Sequence, residues 1–281
     1  MENPDLRQIL QKYGFDFKKS LGQNFLTDRG LLRAIVRDAG VQKTDTVIEI
    51  GTGAGTLTAE LAAAAGKVVT FDVDRALEPI LQETLSGIDN VETVFGDVLK
   101  MSDEELTEFS GTDYKVVANI PYYITTPLVM RFMEAAVPPR SMTLTVQKEV
   151  AERIVAQSGT PEYGAFSVTV QLRSDPKITR IVPRQLFRPI PNVDSAVVRL
   201  DISEKFPDAD IAKVSCLARA GFGMRRKTLV NNLAALTGAD KITIQSAIGE
   251  AGFDPKVRGE SLSAADYVYL YKVLTEKGFK I

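Results

Sequence analysis

Short β-branched stretches alternate with helix-forming ones through the first half of this 281-residue chain. TVIEI (46–50), KVVTFDVD (67–74), VETVFGD (91–97), YKVVAN (114–119) and SMTLTVQ (141–147) each read as a strand. Between them LTAELAAAA (57–65), ALEPILQETL (76–85) and PLVMRFMEAA (127–136) read as helices, with Pro79 in a first turn and Pro127 at a start. Short apolar strands that alternate with helices imply parallel βαβ units. The expected fold is therefore α/β, a Rossmann-like doubly wound sheet. Before it, residues 1–20 read as a short helix and a loop, and Leu31, Leu32, Ile35 and Val36 lie at the spacing of one helix face.

The pattern changes after the fifth strand. SGTPEYG (158–164) is a loop, and KITRIVP (177–183) and SAVVRLDI (195–202) read as late, antiparallel strands. The polar, proline-containing EKFPDAD (204–210) reads as a joint, followed by helices at 211–222, 226–236, 241–252 and 263–277. The expected organisation is an α/β domain over 1–203 and a small all-helical domain over 204–281. The N-terminal stretch MENPDLRQIL has no basic start followed by an apolar run, and the aliphatic block Leu61–Ala65 is far too short to span a bilayer. Neither a signal peptide nor a membrane span is expected, and the cytoplasm is the expected location.

Composition narrows the chemistry. The chain has no histidine and one cysteine, Cys216. Imidazole bases, imidazole metal ligands and internal disulfides are thereby excluded, and no metal site is expected. Net charge is −2, distributed as +3 over 204–281 and −5 over the rest. A polyanionic partner would have to be held by a local patch, and MRRK (224–227) is the densest one.

Strand one runs into a glycine loop, EIGTGAGTLT (49–58). Gly51, Gly53 and Gly55 permit a tight turn and close approach to a ligand. The G-x-G-x-x-G dinucleotide fingerprint needs a third glycine at 56, where this chain has Thr56. Strand two then ends at Asp72, strand three at Asp97 and strand four at Asn119. In open α/β sheets ligands bind at that carboxyl edge. Asp72 suits a ribose and Asp97 an exocyclic adenine amine. The combination fits a nucleoside cofactor without a pyrophosphate, and S-adenosylmethionine is such a molecule.

The stretches SLGQNFLTD (20–28), VIEIGTGAGTLT (47–58), FGDVLK (95–100), NIPYYITTPL (119–128), VQKEVAERI (146–154), FRPIPNVDSAVVRL (187–200) and RRKTLVNNL (225–233) occur in this order. In their combination the chain resembles, over nearly its full length, the rRNA adenine N6,N6-dimethyltransferase family. The resemblance implies S-adenosylmethionine as methyl donor, touched by Asn24, Leu26, Gly51, Gly53, Asp72, Asp97 and Asn119, with Gln23 beside them. The family often has glutamate where Asp72 stands, so Asp74 is a second candidate for the ribose. Asn119 and a backbone carbonyl near Pro121 are expected to hold the target amine and Tyr122 to stack on its base. Phe187 is either a second aromatic on that base or a core residue. Lys18, Lys19, Arg225, Arg226 and Lys227 are expected to contact rRNA phosphates. The housekeeping branch dimethylates two adjacent adenosines near the 3′ end of small-subunit rRNA. An immature ribosomal particle is its expected partner, and the protein is expected to act as a monomer. The alternatives are the macrolide-resistance branch acting on large-subunit rRNA and the relatives that serve as transcription factors.

Overall fold

The computed structural model describes residues 6–18, 21–224 and 226–281. It divides into two compact units: residues 1–151 with 177–202, and residues 152–176 with 203–281.

The first unit is built on a seven-stranded sheet. A two-residue strand, β1 (Phe25–Leu26), comes first in the chain and lies outside that sheet. Then follow β2 (Thr46–Ile50), β3 (Lys67–Asp72), β4 (Val91–Phe95), β5 (Tyr114–Asn119), β6 (Ser141–Gln147), β7 (Ser174–Val182), the two-residue β8 (Phe187–Arg188) and β9 (Ser195–Ile202). The large sheet has the order β4-β3-β2-β5-β6-β9-β7. Neighbours from β4 to β6 are parallel, and β9 runs antiparallel to β6. The chain thus builds outward from β2 to β4, then crosses back to place β5 on the other side of β2. That reversal opens a crevice between the carboxyl ends of β2 and β5. Separately, β1 pairs with β8, Leu26 opposite Phe187.

The central strands are buried on both faces. Val47, Ile48, Val68, Val69, Val117, Ala118, Met142 and Leu144 are fully enclosed, as a sheet covered by helices requires. The helices of this unit are α1 (Leu6–Lys12), α2 (Arg29–Asp38), α3 (Thr56–Ala64), α4 (Glu78–Thr84), α5 (Asp103–Ser110) and α6 (Thr125–Met133). Helix α6 begins two residues before Pro127, so that proline lies inside the first turn, where its missing N–H costs nothing. Helix α5 starts on a capping box, with Ser102 and Glu105 exchanging hydrogen bonds. Its sequence, DEELTEFS, has too few apolar residues for periodicity to reveal it.

At the opposite, amino edge of the sheet Lys115 carries its charge into the interior. Its Nζ donates to Asp45 at 2.7 Å and to the Gly40 carbonyl at 2.6 Å, and Arg140 also binds Asp45. Buried charges persist only when paired in this way.

Helix α7 (Lys148–Val155) crosses from the first unit into the second. The second unit continues with α8 (Ala165–Gln171), α9 (Ile211–Gly221), α10 (Leu229–Thr237), α11 (Lys241–Glu250) and α12 (Ala264–Glu276). Its own core includes Leu172, Leu217, Leu233, Ile248, Tyr267 and Leu270. The buried Tyr163 and Tyr267 hydroxyls donate to the Leu262 and Gly259 carbonyls. A boundary placed at 203 therefore misses a return of the chain. Residues 152–176, counted on sequence with the first domain, pack in the second unit. The polar joint at 204–210 marks only the last of the crossings.

Candidate active site

A cavity of about 330 Å³ opens at the carboxyl edge of the sheet, in the first unit. Every strand end named on sequence contributes to it: Gly51 and Gly53 after β2, Asp72 at the end of β3, Asp97 after β4 and Asn119 at the end of β5. Residues 21–26 and the turn 120–124 also line it.

The glycine loop is shaped by contacts that side chains would block. Gly51 has φ +80°, and a Cβ there would sit 3.4 Å from the Asn119 carbonyl oxygen. Gly53 has φ +54°, and a Cβ would lie 3.1 Å from the Phe25 ring. Only glycine combines that backbone with that proximity.

Asp72 is held by the backbone. Its Oδ2 accepts from the Gly53 N–H at 3.0 Å and its Oδ1 from the Asp74 N–H at 2.9 Å. Burial nevertheless raises its pKa, the two amide bonds offsetting only part of the effect. Asp74 is not on the cavity wall. It is buried and accepts from Lys18 Nζ at 2.5 Å and Gln23 Nε2 at 2.8 Å. Burial opposes its ionisation, but Lys18 and Gln23 outweigh it and lower the pKa. Of the two acids considered for a ribose, Asp72 faces the cavity and Asp74 ties down the segment before it. Asp97 caps the short turn Val98–Lys100 through the Leu99 N–H, with Lys100 Nζ 3.6 Å from its Oδ2.

Asn119 donates from Nδ2 to the Asn24 carbonyl at 2.9 Å, which leaves Oδ1 as an acceptor. The Pro121 carbonyl accepts from the Ile124 N–H at 3.1 Å. The Ile120 carbonyl, one residue earlier, has no hydrogen-bond partner among the described residues. It is the acceptor that lies beside Asn119. Tyr122 is half-buried, with its hydroxyl 2.7 Å from Ser195 Oγ, and burial raises its pKa. Asn24 Nδ2 donates to the Gly22 carbonyl, and the Leu26 carbonyl accepts from Thr56 Oγ1.

Phe187 is not in the cavity. It is fully enclosed in the core formed by Leu26, Leu32, Ile35 and Val197, because its pairing with Leu26 in the β1–β8 ribbon turns it inward. Of its two readings the structure supports the core residue. Lys18 is committed to Asp74 in the first unit. Arg226 and Lys227 are exposed in the second unit. Lys19 and Arg225 lie outside the described residues.

Glu49 was not singled out on sequence. It is 1% exposed and lines the cavity. Its Oε2 accepts from Thr58 Oγ1 at 2.6 Å, while Oε1 has no partner. Burial, only partly opposed by hydrogen bonds, raises its pKa to about 8, so it is protonated at neutral pH. The signal was an acid inside the otherwise apolar TVIEI. Among the described residues no cluster of acids and cysteine is disposed to hold a metal ion.

The cavity fits S-adenosylmethionine by its chemistry. Carboxylates at Asp72 and Asp97 match ribose hydroxyls and an adenine amine, Val73, Val98 and Leu99 provide apolar wall, and the tight glycine loop leaves room where a Cβ would stand. This sheet and this edge define a Rossmann-like S-adenosylmethionine-dependent methyltransferase. The profile of one family, ribosomal RNA adenine dimethylase, matches residues 14–276. The chain belongs to that family and transfers methyl groups from S-adenosylmethionine to adenine in ribosomal RNA.

Among its relatives is the ribosomal RNA small subunit methyltransferase A of Clostridioides difficile (strain 630), 44% identical across 96% of this chain and 95% of the relative. The protein of the same name from Geobacillus thermodenitrificans (strain NG80-2) is 45% identical across 95% and 94%. A crystal structure of a dimethyladenosine transferase from Plasmodium falciparum superposes with a TM-score of 0.77 at 27% identity, covering 91% of this chain and 98% of that one. That of the 23S rRNA methyltransferase ErmE gives 0.70 at 26%, covering 89% and 99%.

Proposed function

We propose that this enzyme dimethylates N6 of two adjacent adenosines near the 3′ end of small-subunit rRNA, within an immature ribosomal particle in the cytoplasm. The observation that carries the choice of subunit is the name, ribosomal RNA small subunit methyltransferase A, shared by relatives from Clostridioides difficile, Alkaliphilus oremlandii and Geobacillus thermodenitrificans at 43–45% identity. The likeness to the 23S enzyme is weaker, at 26%. That no helix among the described residues is long and apolar enough to cross a membrane accords with this setting. The protein is proposed to act as a monomer.

S-adenosylmethionine, when bound, supplies a methyl group made electrophilic by its sulfonium. Asp72 would accept from the ribose hydroxyls, Asp97 from the adenine amine, and the residues Asn24, Leu26, Gly51 and Gly53 would shape the remaining wall. The chain's task is to make a poor nucleophile usable, because the N6 lone pair of adenine is delocalised into the ring. Asn119 Oδ1 and the Ile120 carbonyl would accept the two N6–H bonds. Holding both hydrogens to one side draws the lone pair out of the ring plane. Anchoring Asn119 Nδ2 on Asn24 fixes which end of the amide faces the target. Pro121 has no N–H and sets the turn that presents the Ile120 carbonyl. Tyr122 would stack on the base, its ring orientation pinned through Ser195.

Methylation leaves the target nitrogen cationic and acidic, so its proton departs to water without a dedicated base. A chain with no histidine can therefore carry out this reaction. Catalysis is mainly positioning.

Incubation with precursor small subunits and with large subunits, followed by mass analysis of rRNA fragments, tests the reading. The expected product is a small-subunit fragment heavier by two methyl groups on each of two neighbouring adenosines. Modification of the large-subunit fragment instead would overturn it.

A further inference from the structure

The turn after β5 carries two tyrosines, and only one of them is accounted for by the target base. Tyr122 and Tyr123 are consecutive in the 3₁₀ turn Tyr122–Ile124. At three residues per turn their side chains leave the backbone about 120° apart, so they cannot lie on the same base in the same way. Tyr122 is half-buried and its hydroxyl is tied to Ser195. Tyr123 is 61% exposed, and its hydroxyl has no partner among the described residues.

Tyr123 nonetheless lies against the backbone of Gly22. A Cβ on Gly22 would come within 3.4 Å of Tyr123 Cδ1 and of Pro121 Cβ, so the bare backbone at Gly22 backs onto the ring. Gly22 has φ +60°, a conformation that disfavours other residues there. The ring also lines the mouth of the active-site cavity. It is an aromatic face open to solvent at the edge of the cavity, free to stack. Its place in the sheet sets it beside the residues proposed for the target base. The acids proposed for the ribose and adenine stand on β3 and β4, on one side of β2, and this turn follows β5 on the other.

We propose that Tyr123 is a stacking platform for the nucleotide that flanks the target adenosine. The inference rests on the proposed role of Asn119 and Tyr122 in receiving the target base. Extruding a base into the cavity strips its neighbour of a stacking partner. An aromatic ring at the rim replaces that partner, and base–aromatic stacking is tolerant of sequence. Tyr123 would thereby set how the strand enters and favour an unpaired nucleotide beside the target.

The chain contains no tryptophan, so Tyr123→Trp makes a single fluorescent reporter. Its emission should be quenched by an oligoribonucleotide containing two adjacent adenosines. Removing the flanking base, tested on each side of the target, should abolish the quenching on one side. S-adenosylhomocysteine alone should leave the emission unchanged. In parallel, Tyr123→Ala should raise KM for precursor particles roughly tenfold, the lower range expected for one stacked base, with kcat and the KM for S-adenosylmethionine little altered. Tyr123→Phe should behave as wild type, since the ring and not the hydroxyl does the stacking. Quenching by S-adenosylhomocysteine but not by RNA would overturn the proposal, as would an unchanged KM for particles in Tyr123→Ala. Asn119→Ala in the same assays keeps the two readings apart. If it loses turnover while Tyr123→Ala is silent, only the flanking platform fails. If Asn119→Ala is fully active, the reading of the whole turn fails.

Discussion

In the proposed mechanism Asn119 has two ends with different duties. Nδ2 is anchored on the Asn24 carbonyl, and Oδ1 shapes the target amine. Because the second duty is exercised most in the transition state, Asn119→Ala should lower turnover by about a hundredfold or more while leaving cofactor affinity nearly intact. Single-turnover methylation beside calorimetry checks both halves. Glu49 offers a prediction of another kind. Its folded pKa of about 8 lies above its ordinary value of 4.5, so the folded state holds the proton more tightly. The stability this confers is complete below about pH 4.5 and is lost as pH rises through about 8. Because the unfolded chain ionises there while the native carboxyl stays protonated, stability at pH 7 is lower than in acid by about 3 kcal/mol. Glu49→Gln should remove that dependence. Without ligand, wild type should lose melting temperature relative to the variant between about pH 5 and 8. Parallel pH profiles would mean that the carboxyl already ionises in the native protein.

At the scale of elements, the segment before α2 is pinned at two points beside the cavity. Asp74, just past β3, holds Lys18 and Gln23, and Asn119, at the end of β5, holds Asn24. The Asp74 N–H also donates to Asp72. The clasp therefore joins the proposed ribose acid to the covering segment. Lys18 is nearly half exposed, so water screens much of its attraction, and the less exposed bond to Gln23 matters more. Asp74→Ala should weaken cofactor binding by about 1 kcal/mol and speed amide exchange around residues 21–24. Calorimetry with exchange mass spectrometry reads both. In the second unit a buried amide does comparable work. Asn232 on α10 donates to the Gly221 carbonyl at 2.6 Å and accepts from the Met224 N–H. It thereby holds the backbone that leads into the basic stretch after Met224.

Over the whole molecule, an acidic chain must hold a polyanion through local charge. Arg226 and Lys227 are exposed, with no ion pair among the described residues. If they contact phosphates, Arg226→Ala with Lys227→Ala should weaken particle binding and make its logarithmic salt slope shallower by about 1–2. An unchanged slope would place the phosphate contacts elsewhere.

Much of this protein was legible before folding. Strand limits at Thr46–Ile50, Tyr114–Asn119 and Ser141–Gln147 follow from local apolar runs. The glycine, acid, acid and amide follow from where those runs stop. What is local in the chain can be read from the chain. The rest depends on contacts between distant residues. Phe187 became core because β8 pairs with β1, more than 160 positions earlier. Asp74 and Asp72 differ by two positions, yet only the N-terminal segment decides which is clasped and which faces the cavity. Glu49 is neutral because the fold removes water from it, and desolvation has no trace in composition. Residues 152–176 joined the helical unit because a compact core selects surfaces that fit, regardless of where the chain has already been. The sequence by itself determined the sheet, its ligand edge and the chemistry available there; tertiary structure alone decided which of those groups face the ligand and in what state of charge.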